Sequence, residues 1–92
     1  MRYYTSKIET NYEYPYKLML QDIRKGIEYF QKEHKNVPVY IIINSGDAIR
    51  LRHEMAVHKL LPHNHYGEIQ YMGVSIIRSQ DMLEGSFDVV GI

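Results

Sequence analysis

The amino-acid sequence predicts a single α+β domain over residues 1–92, with two helices and a mixed or antiparallel sheet in the order β-α-β-α-β-β-β. Three observations support this fold class. A stripe of apolar residues at helical spacing follows a first segment rich in aromatic residues. A continuous apolar run comes next, and three short segments separated by glycine-containing turns end the chain.

The first strand and the first helix are predicted from residue type and spacing. Residues 2–9, RYYTSKIE, contain the β-branched and aromatic residues that favour strands. Pro15 suits the first position of a helix, where the missing N–H would have no partner. Gly26 lies inside this helix at a cost of about 1 kcal/mol relative to alanine, which indicates a close backbone contact. The helical stripe consists of Tyr16, Leu20, Ile23, Ile27, Phe30 and His34.

The second strand and the second helix follow directly. VPVYIII, residues 37–43, is a continuous apolar run and predicts a strand covered on both faces. NSGD, residues 44–47, supplies turn and N-cap residues, so a helix is predicted from Asp47 to about Leu61, where Pro62 ends it. Apolar and basic residues share its faces. We therefore expect this helix to be partly exposed or covered by a partner chain.

Three short strands complete the predicted sheet. They correspond to EIQYM, VSIIR and SFDVV in the last third of the chain. Gly73 separates the first two, and SQDMLEG forms the turn before the third.

Charge and cysteine content exclude several classes of site and partner. Eleven basic residues balance eleven acidic ones, so binding to nucleic acid or to an anionic membrane would need a local patch. The chain has no cysteine, which excludes disulfides, thiolate nucleophiles and thiolate zinc sites. The longest apolar run, VYIII, is too short to span a bilayer, and the first residues do not resemble a signal peptide. We expect a cytoplasmic protein that self-associates as a homo-oligomer, without a membrane or nucleic-acid partner.

Tyrosine dominates the aromatic residues. The chain has nine tyrosines and no tryptophan. Because tyrosine combines an apolar ring with a polar tip, it suits half-buried faces and protein interfaces. Two interpretations stay open: the early tyrosines coat the sheet and pack the first helix, or they form a binding interface. The candidate interface residues are Tyr3, Tyr4, Tyr12, Tyr14 and Tyr16.

A histidine cluster is the obvious candidate for a metal site. Four of the five histidines lie in residues 53–65. The HExxH motif of zinc proteases is excluded, because His53 and His58 are five residues apart and project about 140° apart on a helix. A weaker set for zinc or nickel would consist of Glu54, His58, His63 and His65. Since Arg50 is an alternative partner of Glu54 and loop histidines are usually solvated, we expect no metal and no cofactor.

The NSGD turn is a second candidate site, for a small anion or a nucleotide. The turn follows a predicted buried strand and precedes a predicted helix. At the start of such a helix, free N–H groups often bind anions in α/β proteins. The ligand-binding residues would be Asn44, Ser45, Gly46, Arg50 and Arg52. However, the turn lacks the GxxxxGK[ST] pattern, and Asp47 adds a negative charge. The other interpretation is that the turn has only a structural role: it ends the strand and caps the helix.

No catalytic signature is present in the sequence. None of the serines lies in a GxSxG motif, and the neighbouring carboxylates Asp81 and Glu84 fall in a predicted turn. We therefore expect a non-catalytic protein that acts by binding another protein.

The last part of the chain carries a resemblance to a known family. GVSIIRSQDMLEGSFDVV, residues 73–90, resembles a stretch near the end of tailed-phage major coat proteins, and VYIIINSGDAIRLRHE is similar to the strand, turn and helix before it. The resemblance covers about residues 39–90 and implies a small phage or prophage protein in the host cytoplasm. Such a protein would be an accessory factor, a host-directed inhibitor or a minor virion component. The matching residues are Gly73, Val74, Ile76, Ile77, Ser79, Met82 and Gly85.

Overall fold

The computed structural model describes residues 2–8, 19–35, 37–61 and 67–91. Its elements follow the predicted order, so the α+β fold class is confirmed. The predicted helix start at Pro15 lies outside the described residues. The bounds are β1 Arg2–Lys7, α1 Met19–His34, β2 Pro38–Asn44, α2 Ser45–Val57, β3 Ile69–Tyr71, β4 Val74–Ser79 and β5 Ser86–Gly91.

The five strands form one mixed sheet in the order β1-β5-β2-β4-β3. β2 and β4 are parallel, and α2 lies in the connection between them, whereas the other neighbouring pairs are antiparallel. Helix α1 contacts β1, β5 and β2, and α2 contacts β2 and β4. The described part of the chain is therefore a two-layer structure, with both helices on the same face of the sheet.

The predicted stripe of α1 forms the centre of the core. Leu20 is 5% exposed, and Ile23, Ile27 and Phe30 are fully buried. The helix continues without a break through Gly26, where a Cβ would lie 2.7 Å from Cε2 of Phe87. The predicted close backbone contact is thus confirmed: glycine lets α1 lie directly on β5.

The two faces of β2 differ in how well they are covered. Ile41 and Ile43 are fully buried under the helices. On the opposite face, Tyr40 is 42% exposed and Ile42 is half-buried. The prediction of a strand covered on both faces was wrong, because a continuous apolar run indicates a central strand but does not show whether a second layer covers it.

Helix α2 is shorter than predicted at its carboxyl end and longer at its amino end. It begins at Ser45, not Asp47, and it ends at Val57, not near Leu61. Lys59 follows with a φ of 60°, and the N–H groups of Lys59 and Leu60 bond back to carbonyls of the last turn. This is the Schellman arrangement, which ends the helix before Pro62 is reached.

The turn between β3 and β4 provides a test of local backbone strain. Tyr71 pairs with Val74, so the loop has two residues, Met72 and Gly73, with φ values of 55° and 77°. Two positive φ values define the type I′ hairpin turn, which prefers Asn-Gly. We expect Met72→Asn to raise the free energy of unfolding by about 0.5–1 kcal/mol, measured by urea denaturation.

Met72→Ala is the matched control for this prediction. Alanine also removes the half-exposed methionine side chain, but it tolerates a positive φ no better. Equal stabilisation by both substitutions would show that the side chain, and not the backbone conformation, limits stability at this turn.

Candidate functional site

The sheet has a second face that neither described helix covers. The strand register places its residues in two rows across the strands. We call this surface the open face. Its first row is Tyr3, Val90, Tyr40, Ser75 and Gln70, and its second row is Thr5, Asp88, Ile42 and Ile77.

Large apolar side chains are exposed on the open face. Tyr3 is 68% exposed, Tyr40 is 42% exposed and Ile77 is 40% exposed. Val90 lies between the two tyrosines in the first row and is only 7% exposed. These exposed apolar side chains make the open face a candidate surface for binding another molecule.

Charge on the open face is low. Asp88 accepts a hydrogen bond from the hydroxyl of Thr5, so its carboxylate has a partner within the sheet. Ser75 and Gln70 are neutral, and Lys7 lies at the β1 end of the face, opposite Ser86. Among the described residues of the two rows, Asp88 is thus the one charged side chain.

The structure divides the predicted tyrosine interface. Tyr3 lies on the open face, whereas Tyr4 points to the helix face and its ring lies 4.7 Å from that of Tyr29 on α1. The two side chains therefore lie on opposite sides of one strand. The other three predicted interface residues, Tyr12, Tyr14 and Tyr16, lie outside the described residues.

The NSGD turn joins α2 to the loop between β4 and β5. Asn44 caps α2: its Oδ1 accepts from the N–H of Gly46 at 2.8 Å, and its Nδ2 donates to the carbonyl of Met82 at 2.9 Å. Ser45 is half-buried at the first position of the helix. The N–H of Gly46, which a bound anion would use, thus already has an acceptor.

Asp47 strengthens the same junction. Its side chain is 2% exposed, and its Oδ2 accepts from the N–H of Gly85 at 2.8 Å. Its Oδ1 lies 3.7 Å from Nη1 of Arg50, another of the predicted anion-binding residues. A buried carboxylate beside that arginine opposes the binding of an anion at this turn.

Glu54 connects the two helices. Its two carboxylate oxygens accept from the N–H groups of Met19 and Leu20, both at 2.9 Å, and so cap the first turn of α1. Sequence spacing indicates Arg50 as a possible partner of Glu54, and it does not indicate this tertiary contact with α1. His58 is exposed just after α2, and no metal-binding group of three or more residues occurs within the described ranges. The other members of the predicted metal set, His63 and His65, lie outside those ranges.

A cavity of about 280 Å³ lies between α2 and the β3–β4 edge of the sheet. Arg52 is at its wall, with Nη2 donating to the carbonyl of Gly67 at 3.2 Å. No sequence pattern points to Arg78, since a single arginine at the end of a strand is usually a solvated surface residue. The residues lining the cavity are Ala48, Ile49, Arg52, Gly67, Glu68, Ile69, Ile76 and Arg78.

Helix length and hydropathy determine whether a helix can span a membrane. Neither helix in the described part of the chain is long and apolar enough to cross a membrane.

Comparisons of the chain with protein-family models, curated proteins and solved structures gave no match. The resemblance to tailed-phage coat proteins therefore stays a prediction.

Proposed function

We propose that this chain is a small, non-catalytic protein-binding domain whose open face packs against the open face of a second copy. The exposed apolar patch formed by Tyr3, Tyr40 and Ile77 on one side of a two-layer fold carries this proposal. Packing of two such sheets would give a four-layer dimer with an apolar centre.

The composition of the open face suits a copy of itself as the partner. Sheets pack face to face about 10 Å apart through interdigitating apolar side chains, and tyrosine is enriched in such contacts. The one acidic residue in the two rows, Asp88, is bonded to Thr5 on the neighbouring strand. Two copies would therefore meet without a large repulsion between like charges.

The dimensions of the face set the expected strength of the dimer. Five strands about 4.8 Å apart and about 20 Å long give a face of roughly 400–500 Å². A standard stable interface buries about 800 Å² on each partner. We therefore infer a weak, reversible dimer. Because such a dimer dissociates readily, the open face would stay accessible to a different protein. An accessory factor, or a phage inhibitor of a host protein, needs an accessible binding face of this kind.

Ile77→Arg tests this proposal. Ile77 is already 40% exposed, so an arginine at this position can extend into solvent without disturbing the monomer core. In the dimer it would place two charges in an apolar interface. We expect sedimentation equilibrium to show concentration-dependent dimerisation of the wild type, and dimerisation at least about tenfold weaker in Ile77→Arg.

Leu83→Arg is the matched control. Leu83 is 73% exposed but lies in the loop between β4 and β5, outside the open face. This variant should dimerise like the wild type. A wild-type protein that stays monomeric up to millimolar concentration, or equal dimerisation of both variants, would contradict the proposal.

A further inference from the structure

We propose that the cavity between α2 and the β3–β4 edge, the α2 cavity, binds a small molecule with a compact apolar body and one anionic group, a carboxylate or a phosphate. This site lies on the helix side of the sheet, opposite the open face. It is therefore independent of the proposed dimer.

The floor of the α2 cavity is apolar and well packed. Ala48 is 7% exposed, Ile69 is 6% exposed and Ile76 is 8% exposed. These residues come from α2, β3 and β4, so three elements fix the shape of the floor. Ile49, 66% exposed, adds an apolar side chain at the rim. A ligand with an apolar body would rest on this floor and would cover mainly the exposed side chain of Ile49.

Two guanidinium groups provide the chemistry for an anion. Arg52 reaches the cavity from α2 and Arg78 from β4. Among the described lining residues Glu68 is the one acidic side chain, so these three charged residues have a net positive charge. The hydrogen bond from Arg52 to the carbonyl of Gly67 orients that guanidinium in advance. Planar guanidinium groups match both carboxylate and phosphate oxygens, and orientation before binding lowers its entropic cost.

The size of the α2 cavity restricts the ligand. Its volume of about 280 Å³ is slightly below the range of typical small-molecule sites, which span about 300–1,000 Å³. An engineered apolar cavity of about 150 Å³ holds benzene, so a single ring with an anionic substituent is of suitable size. Benzoate and phenyl phosphate represent the two anion classes, and benzamide is the neutral analogue.

This site differs from the anion site that the sequence predicted at the NSGD turn. At that turn the N–H of Gly46 is bonded to Asn44, and Asp47 is buried beside Arg50. Arg52 alone belongs to both sets of residues. In the α2 cavity the second hydrogen-bond donor for an anion is Arg78 of β4, and the backbone N–H groups of the turn take no part.

The test is an NMR titration of the 15N-labelled protein with benzoate, phenyl phosphate and benzamide. We expect saturable shifts of the Gly67, Ile69 and Ile76 amides with at least one of the two anions, and binding of benzamide at least about tenfold weaker. Shifts with only one anion would identify the class of ligand. Arg78→Gln should weaken anion binding at least about tenfold.

Arg24→Gln is the matched control, because Arg24 is an exposed arginine on α1 and does not line the cavity. It should bind like the wild type, and so should Ile77→Arg, whatever its effect on dimerisation. The proposal is overturned if neither anion gives saturable shifts at about 10 mM, if benzamide binds as well as the anions, or if Arg78→Gln binds as well as Arg24→Gln.

Discussion

Asp47→Ala is expected to lower the free energy of unfolding by about 2–3 kcal/mol, which would be the largest effect of any single substitution predicted for this chain. The carboxylate is 2% exposed and accepts from the N–H of Gly85 at 2.8 Å. Alanine would leave that N–H without its acceptor in a partly buried site. It would also remove the carboxylate that lies 3.7 Å from the guanidinium of Arg50. Urea denaturation should show a lower midpoint with an unchanged slope.

Asp81→Ala and Asp47→Asn separate the causes of this effect. Asp81 is an exposed acidic residue in the same loop between β4 and β5, and its replacement should change stability by less than about 0.5 kcal/mol. Asparagine at position 47 keeps an acceptor oxygen for Gly85 and should recover part of the loss. If Asp47→Ala is no more destabilising than Asp81→Ala, the junction between α2 and this loop contributes little to stability.

The buried side of α1 was predicted well because helix burial follows residue spacing. The stripe from Leu20 to Phe30 has the period of a helix with one buried side, and all four of its members in that range are buried. Gly26 was informative for the same reason, since a glycine inside such a stripe indicates that another element approaches the backbone, here Phe87 of β5.

The open face was not predictable from the sequence. VPVYIII has no polar alternation, so nothing in it distinguishes a strand covered on both faces from a central strand in a two-layer sheet. Only the arrangement of the other elements shows that both described helices lie on the side of Ile41 and Ile43. Exposure of Tyr40 and Ile77 is thus a property of the whole fold.

Candidate site residues were hardest to predict where their partners are distant in the chain. Asn44 and Asp47 have the residue types of an anion-binding turn, but they bond to Met82 and Gly85, which are nearly forty positions away. Arg78 has no local signal at all, and only the pairing of β4 beside β2 brings it to the cavity below α2. Short-range patterns contain no information about such contacts.

Glu54→Ala is the second large effect that we expect, a loss of about 2 kcal/mol in the free energy of unfolding. Both carboxylate oxygens accept backbone N–H groups, those of Met19 and Leu20, at the positive end of the α1 dipole. A helix leaves its first N–H groups without internal partners, so removal of this cap exposes two of them at once. Chemical denaturation measures the loss.

Hydrogen exchange distinguishes a lost cap from a general loss of stability. Glu54 lies on α2, and its removal releases the start of α1 from that helix, so the amides of the first turns near Ile23 should lose more protection than those of β5 near Phe87.

Glu28→Ala, which removes an exposed glutamate paired with Arg24, should cost no more than about 0.5 kcal/mol in the free energy of unfolding. Glu54→Gln retains one acceptor oxygen and should fall between the two variants. Equal loss of protection near Ile23 and Phe87 would contradict a local role for Glu54. In that case the packing of α1 against the sheet would be stabilised by its buried apolar residues and not by the Glu54 cap.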